Sequence, residues 1–401
     1  MSDIIPNLVC ISIDGLHNGM IGAYGNGWIQ TPAFDLLAFQ SVLFDRYYAS
    51  SIDLVDSFET LWQQSWLEQF ANNNNGSNGN NNGNKSNSNS GNNSTILITD
   101  DDEIYLHAYA DFKYKYRIDT SADGKVDSAD ATGYFKIFAT IMDVISDQEE
   151  RCPNNPYCVW AHLRGFRGVW DFPFEYRMRY RGAEDPLPYA GFELPSLRVA
   201  NDASGIDPDD LQAVMEAYSG GMVLLDEALS GLLEMLESNE SQKEYSNKTG
   251  KETIFVLFGT RGFALGEHKS IGANYDLFSE NVNLPLFVRF PNRQHATIRS
   301  NALINTNDIA DFLISTTNNR DSIITQLANE KNIQQHEALQ IKGQNGEFAL
   351  VTQDWFIRRA NDQISIYVKP DDRWEVNNIV NRINETFELD SILNQYGLLQ
   401  K

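Results

Sequence analysis

Apolar residues come along this chain in short dense runs separated by longer stretches of helical spacing. The segments "NLVCISI" (7–13), "SVLFDR" (41–46), "TILIT" (95–99), "CVWAHL" (158–163), "TIFVLF" (253–258) and "PLFVRF" (285–290) read as strands. Most are too uniformly apolar to leave one face in water, so they predict a sheet covered on both sides. Segments 55–70, 131–147 and 207–237 carry helical spacing, and the last opens with acidic residues where the helix dipole favours negative charge. Gly220 and Gly221, in the middle of that helix, predict a kink. Strands and helices in alternation define an α/β fold.

From about residue 340 the pattern changes. "GEFALVTQDWFIRRANDQISIYVKP" predicts antiparallel hairpins and the residues beyond it a short helix over 385–397. The chain therefore divides into an α/β domain, 1–339, and a small C-terminal α+β subdomain, 340–401. Inside the first, residues 72–94 read "NNNNGSNGNNNGNKSNSNSGNNS". With no apolar side chain to bury, this tract cannot repay the entropy of ordering and is expected to be a disordered surface insertion. Its N-x-S/T matches at Asn75 and Asn93 are expected to be chance.

Charge narrows the classes of partner. Against 31 basic residues stand 55 acidic ones, a formal charge of −24, which repels phosphate backbones and anionic bilayers. Neither nucleic acid nor a membrane is expected as a partner on that ground, and no window approaches the ~20 apolar residues of a membrane span. The cysteines, Cys10, Cys152 and Cys158, are odd in number and form no CxxC pair, so neither a disulfide framework nor a structural zinc site is expected. "MSDIIPNLVCISID" shows no leader pattern, and the chain is expected to be cytoplasmic with reduced thiols.

"NLVCISIDGLHNGMIGAYGNGWIQTPAFDLLAFQSVLFDRYYA" resembles the N-terminal block of the sulfatase family of the alkaline-phosphatase-like superfamily. The resemblance rests on a strand ending in Asp14, the Tyr24-Gly25-Asn26 turn, Thr31-Pro32, Asp35 and Phe44-Asp45. A second block, "GMVLLDEALSGLLEMLE…ETIFVLFGTRGFALGEH…NVNLPLFVRFP", is similar to the later sulfatase core, and "ISIYVKPDDRWEVNNIVNR" to its C-terminal subdomain. The resemblance implies an alkaline-phosphatase-like sandwich, with a central mixed sheet flanked by helices and a small C-terminal α+β subdomain.

It also shows which chemistry is missing. The family's Cys-x-Pro-x-Arg nucleophile motif falls on Leu54, Asp56 and Phe58. An isobutyl group has no lone pair to attack with, and an acidic neighbour repels an anionic ester. Of the metal ligands, Asp14 is retained, but Gly15 stands where many members carry a second Asp, and the Asp-His-Gly of the later loop aligns with Thr260-Arg261-Gly262. A guanidinium opposes a divalent ion, so Arg261 is expected to occupy the vacated cation position and pair with Asp14. The family's downstream Lys appears as Ala273, while His162 and His268, the latter within the intact Gly266-Glu267-His268, match positions that contact the sulfate group. The reading is a noncatalytic sulfatase-like protein whose fold serves to bind another protein or a small anionic ligand. The alternative is a sulfuric or phosphoric ester hydrolase using Ser51, Ser57 or Thr60 as a hydroxyl nucleophile with Asp14, His162 and His268.

Two further segments invite functional readings. "DTSADGKVDSAD" (119–130) fits a calcium loop, with Asp119, Ser121, Asp123, the Lys125 carbonyl, Asp127 and Asp130 as ligands and Gly124 at the bend. It resembles a dockerin-type EF-hand loop, although Asp130 replaces the usual Glu; the bland alternative is an acidic turn. "HLRGFRGVWDFPFEYRMRYRG" (162–182) is aromatic and Arg-rich in an acidic protein, which suits either a binding surface or core packing with locally paired arginines.

Overall fold

The computed structural model describes residues 5–62, 64–72, 93–106, 112–120, 126–195, 197–198, 206–245, 252–318, 321–329, 336–361, 363–384 and 394. In chain order the strands begin with β1 (Asn7–Asp14), β2 (Val42–Tyr48), β3 (Ser94–Thr99), β4 (Tyr114–Arg117) and β5 (Tyr157–Leu163). They continue with β6 (Leu197–Arg198), β7 (Thr253–Arg261), β8 (Ala264–Leu265), β9 (Ser270–Gly272), β10 (Asn283–Arg289), β11 (Arg299–Ser300) and β12 (Ile304–Asn305). The last four are β13 (Ala338–Lys342), β14 (Phe348–Thr352), β15 (Trp355–Ala360) and β16 (Gln363–Val368).

The main sheet is mixed, in the order β11-β2-β10-β7-β1-β5-β3-β4, with β12 also paired to β2. β7, β1, β5, β3 and β4 are parallel, and β10 runs against both neighbours. Central β1 is buried along its length, which is why its sequence has no polar alternation.

Helices cover both faces. They are α1 (Pro32–Phe39), α2 (Leu54–Leu61), α3 (Gln64–Asn72), α4 (Asp102–Leu106), α5 (Gly133–Arg151), α6 (Phe174–Arg177) and α7 (Pro208–Tyr245), then α8 (Ser279–Val282), α9 (Thr306–Asn318), α10 (Ile323–Ala328) and α11 (Val380–Asn384). Val9, Ile11 and Ile13 of β1 pack with α1, α5 and α7, while Leu8 and Cys10 point the other way into a core built by α2, α3, α9 and α10. This is the two-sided burial that strand alternation makes possible. No helix among the described residues is long and apolar enough to cross a membrane.

Several expectations are refined. The helix expected over 55–70 is two, α2 and α3; the carboxylate of Asp53 caps α2 by accepting the Asp56 N–H at 3.1 Å. The kink expected at Gly220 and Gly221 is absent, and α7 runs as one helix from Pro208 to Tyr245. Those glycines serve close approach instead: a Cβ on Gly220 would meet the Tyr176 backbone at 2.6 Å, and one on Gly221 the Phe172 ring at 2.4 Å. The C-terminal hairpins belong to a four-stranded antiparallel sheet whose first strand, β13, begins at Ala338. The expected helix over 385–397 and most of the Asn-rich tract lie outside the described residues, although Asn93 is buried at the entrance to β3.

β1 turns at Gly15 (φ 75°), and β5 at Gly165 (φ 54°), where the two chain segments cross. A Cβ on Gly165 would lie 2.2 Å from the Asp14 carbonyl oxygen, and this crossing sets the floor of the site described below. Gly165→Ala is expected to destabilise the protein by about 3 kcal/mol in urea denaturation, from overpacking plus a left-handed φ. Gly27→Ala, where a Cβ meets nothing within 4 Å, is expected to change stability by less than about 0.5 kcal/mol.

Candidate functional site

Parallel strands deliver their following loops to one edge of a sheet, the usual place for a ligand site in α/β folds. Here that edge brings Asp14 from β1, Thr260 and Arg261 from β7, His162 from β5 and Arg167 from the loop after β5. Asp14 is buried. Its Oδ1 accepts from Arg261 Nε at 3.0 Å, from the Thr260 hydroxyl at 3.2 Å and from the Gly15 N–H at 3.1 Å. A terminal nitrogen of Arg261 donates to Oδ2, completing a bidentate pair. The β1/β7 register shifts between Ile13 and Asp14, and Asp14 ends up beside Arg261. The pairing expected from the residue types is therefore present.

A second guanidinium stands behind the first. Arg167 Nε lies 3.7 Å from Asp14 Oδ1, and the same side chain donates to the carbonyl oxygens of Gly262 and Asn274 at 3.0–3.3 Å. Burial alone would push the Asp14 carboxyl up, but Arg261 and Arg167 together hold it below the ordinary carboxylate range. Burial lowers Arg167 to about 10, still charged at neutral pH. One buried carboxylate thus faces two cations, Arg167 buried and Arg261 partly exposed.

His162 is fully buried. Its Nδ1 is 3.1 Å from the Ser12 hydroxyl, which also accepts from Trp160 Nε1 at 3.1 Å, and its Nε2 has no hydrogen-bond partner. Burial depresses its pKa, against the raising influence of Asp101 and Asp14, so the ring is neutral at pH 7. Phe58 packs edge-on against it with ring centroids 4.7 Å apart.

Leu54 and Phe58, on α2, are both buried in the apolar core shared with Trp62 and Trp160. Burying a side chain the size of Phe58 contributes about 3 kcal/mol, so the place where the resemblance puts an arginine is here a packing position. The hydroxyls nearby are committed locally. Ser57 donates to the carbonyls of Ser51 and Asp53, Thr60 to that of Asp56, and Ser51 to the Asp56 carboxylate at 3.3 Å.

His268 lies elsewhere. Its Nδ1 is 3.0 Å from Glu280 Oε1, its Nε2 3.2 Å from the Glu375 carbonyl oxygen, and its ring stacks on Phe278 at 3.5 Å. Burial lowers its pKa but Glu280 and Glu375 outweigh that, so it is raised. Neighbouring Glu267 pairs with His17 at 3.2 Å and is pulled down to about 2, burial opposing and His17 lowering. His268 thus braces the C-terminal sheet rather than facing Asp14.

Within 119–130, Ser121, Asp123 and Lys125 lie outside the described residues; Asp119, Asp127 and Asp130 are exposed. Among the described residues no group of three or more His, Cys, Asp or Glu is placed to hold a metal ion. The aromatic segment 162–182 is mostly interior: Phe166 stacks on Tyr218 at 3.9 Å, Trp170 and Phe172 are buried, and Arg177 donates to backbone carbonyls. Sequence reasoning flagged its arginines but not that Arg167 reaches Asp14.

Comparison with solved structures bears on the whole arrangement. A protein in complex with its substrate D-glucosamine-2-N,6-O-disulfate superposes with TM-score 0.69 at 16% identity, covering 98% of each chain. A phosphonate monoester hydrolase of Agrobacterium radiobacter gives 0.67 at 15%, over 97% of this chain and 96% of that one. A 2-O GAG sulfatase gives 0.64 at 16%, over 98% and 92%. The chain has a sulfatase-like fold. At this identity the likeness establishes architecture alone. No protein-family model matches the chain, and no curated protein does.

Within the sulfatase-like fold, two measurements test the site. Arg261→Met leaves buried Asp14 with Arg167, 3.7 Å away, as its one cation, and is expected to destabilise the protein at pH 7 by less than the ~3–5 kcal/mol that a wholly unpaired buried charge costs. Asp14 has a depressed folded pKa, so its pairing stabilises above the ordinary carboxylate value of about 4 and is lost as pH falls through the folded value. The difference between parent and Arg261→Met should therefore shrink on acidification in urea titrations. His162 also has a depressed pKa, and for a buried neutral imidazole stability falls as pH drops below the unfolded value of about 6.5. His162→Gln should flatten the stability profile between about pH 6.5 and pH 5.

Proposed function

We propose that this protein is a noncatalytic member of the sulfatase-like fold, retained for binding rather than ester hydrolysis. The observation that carries the reading is the bidentate Arg261–Asp14 pair. A divalent ion in this position needs several anionic oxygens, and the donor set present is one carboxylate, one hydroxyl and two guanidinium groups. Such a set repels a dication, so the residues do not fit the metal that sulfatase chemistry uses. Arg261 supplies the neutralising charge instead.

The attacking group is missing on the same argument. Leu54 offers no nucleophile; Ser57 and Thr60 donate to backbone carbonyls of their own turn, and Ser51 donates to the Asp56 carboxylate at 3.3 Å with no cation among its partners. His162 is neutral, its Nε2 has no hydrogen-bond partner, and the Phe58 ring packs edge-on against it. The hydrolase alternative is left with one hydroxyl that has a carboxylate partner, Ser51 on Asp56, and with no cation beside it to stabilise an anionic ester.

The test is turnover of 4-nitrophenyl sulfate, 4-nitrophenyl phosphate and a phosphonate monoester, with metal content measured in an Asp119→Ala/Asp123→Ala background so that the 119–130 segment does not contribute. The expected result is no hydrolysis above the Asp14→Asn control and substoichiometric divalent metal. Turnover that disappears in Asp14→Asn would overturn the reading. The double change Thr260→Asp/Arg261→Asn is expected to create divalent affinity where the parent has none, measured by calorimetry.

A further inference from the structure

The four-stranded sheet joins the main domain through an apolar seam in which Phe278 and Val282 share a core with Leu339, Val351 and Phe356. Backbone bonds tie it at one point: Lys342 of β13 donates to the Ser50 carbonyl and accepts from the Ile52 N–H, both at 2.9 Å. A second tie is built from side chains around His268, between β8 and β9. His268 and Lys269 hold left-handed backbone, with φ of 48° and 57°, a conformation unfavourable for residues that carry a Cβ. With that backbone the His268 ring reaches the seam. It stacks parallel to Phe278 at 3.5 Å, and Arg358 of β15 covers the other face of Phe278, its guanidinium 4.2 Å from the ring centroid.

Both ring nitrogens face acceptors. Nδ1 is 3.0 Å from Glu280 Oε1 on α8, and Nε2 is 3.2 Å from the Glu375 carbonyl oxygen in the loop after β16. A neutral imidazole has a single N–H to give. The carbonyl can only accept, so Nε2 donates to it, and Nδ1 bonds the carboxylate only with a further proton between them, on the ring or on Glu280. The pair therefore holds one proton more than a neutral histidine beside a carboxylate. Glu280 has a side chain only 2% exposed, and His268 is its one ion-pair partner among the described residues. Losing that proton turns a lone pair toward a buried, unanswered carboxylate.

We propose that the proton shared by His268 and Glu280 is a pH-sensitive latch, which clamps the C-terminal sheet to α8 while it is held and loosens the sheet when it is lost. The latch borders a cleft of about 450 Å³ whose wall includes Arg46, Ser279, Lys369 and Arg373. Ser279 adjoins Glu280 and donates its hydroxyl to Glu375 at 2.5 Å, and Lys369 pairs with the same carboxylate. The other charged groups around the ring have their own partners or lie in water. Arg358 pairs with Asp276 at 3.3 Å, Glu267 with His17 at 3.2 Å, Asp372 accepts the Val376 and Asn377 N–H groups, and Lys269 is exposed. Burial pushes the Tyr367 phenol up and Tyr48 to about 12, out of the range in which the latch works. Burial lowers the His268 pKa, and Glu280 and Glu375 more than restore it, so the folded value is raised. A group of that kind stabilises fully below its unfolded value of about 6.5 and loses its contribution as pH rises through the folded value. The latch is closed on the acid side and released on the alkaline side, whether or not the Asp14 cluster is catalytic.

Amide hydrogen exchange of the full chain between about pH 6 and pH 9, corrected for the intrinsic exchange rate, tests the latch. Protection of β14 and β15 is expected to fall roughly tenfold or more as pH rises, while β1 and β5 keep theirs. Glu280→Gln separates the latch from other titrations, because an amide can donate to neutral Nδ1 and preserve both hydrogen bonds without the extra proton. In that variant the sheet is expected to stay protected across the whole range. His17→Gln, and His336→Gln at the Asp308 pair ahead of β13, are expected to keep the parent's fall. A ring C–H resonance of His268 in the parent, which needs no variant, is expected to titrate at the midpoint of the exchange change. Protection independent of pH in the parent, an equal fall in Glu280→Gln, a fall abolished by His17→Gln or His336→Gln, or a ring midpoint that differs would each overturn the proposal.

Discussion

The sheet's central edge depends on one buried charge being answered. Asp14 closes β1, a strand buried along its length inside the main sheet, and its carboxylate cannot be taken out of water without a cation beside it. Arg261, from the adjacent strand, gives that cation in bidentate geometry, while Thr260 and the Gly15 N–H fill remaining lone-pair directions on Oδ1. Everything that converges there is arranged around this pair: the register shift in β1/β7, the left-handed turns at Gly15 and Gly165, and Arg167 held by two carbonyls. A pair of this kind stabilises little against a well-packed apolar substitute, yet removing either member is severe. It therefore locks the strand ends in place more than it strengthens them.

Much of this was legible in the sequence, and the physical reason is locality. Uniformly apolar runs located β1, β3, β5, β7 and β10 because a strand buried on both faces leaves no room for polar alternation. The Asp14–Arg261 pair was legible because two residue types with opposite charge stood at positions that a resemblance placed together. Arg167 was not, since its contact with Asp14 depends on how the loop after β5 folds back over β1. The same holds for the cleft at Arg46 and Arg373: those residues are more than three hundred positions apart, and only the packing of the four-stranded sheet against β2 brings them to one wall. Gly220 and Gly221 were misjudged because a glycine pair in a helix signals backbone freedom or close approach equally well, and the neighbour that decides, the 172–177 segment, is invisible to local pattern.

The molecule's electrostatics are organised in two tiers. Its surplus negative charge is spread over the surface, where water screens it, while its cations are concentrated where the chain needs them. Arg167, Arg177 and Arg289 are buried and spend their donors on backbone carbonyls, a glutamine or a carboxylate. Arg46 and Arg373 sit instead at a concave surface with neutral or aromatic neighbours.

The Asp14 pair has one further consequence. A cation recruited from solution contributes to folding through a mass-action dependence on its concentration and affinity, so chelators and mineral scarcity erode it. Arg261 is covalently part of the chain, its local concentration is fixed by the fold, and no sequestering agent can strip it away. At this point in its architecture the counter-ion of the buried carboxylate is inherited with the polypeptide.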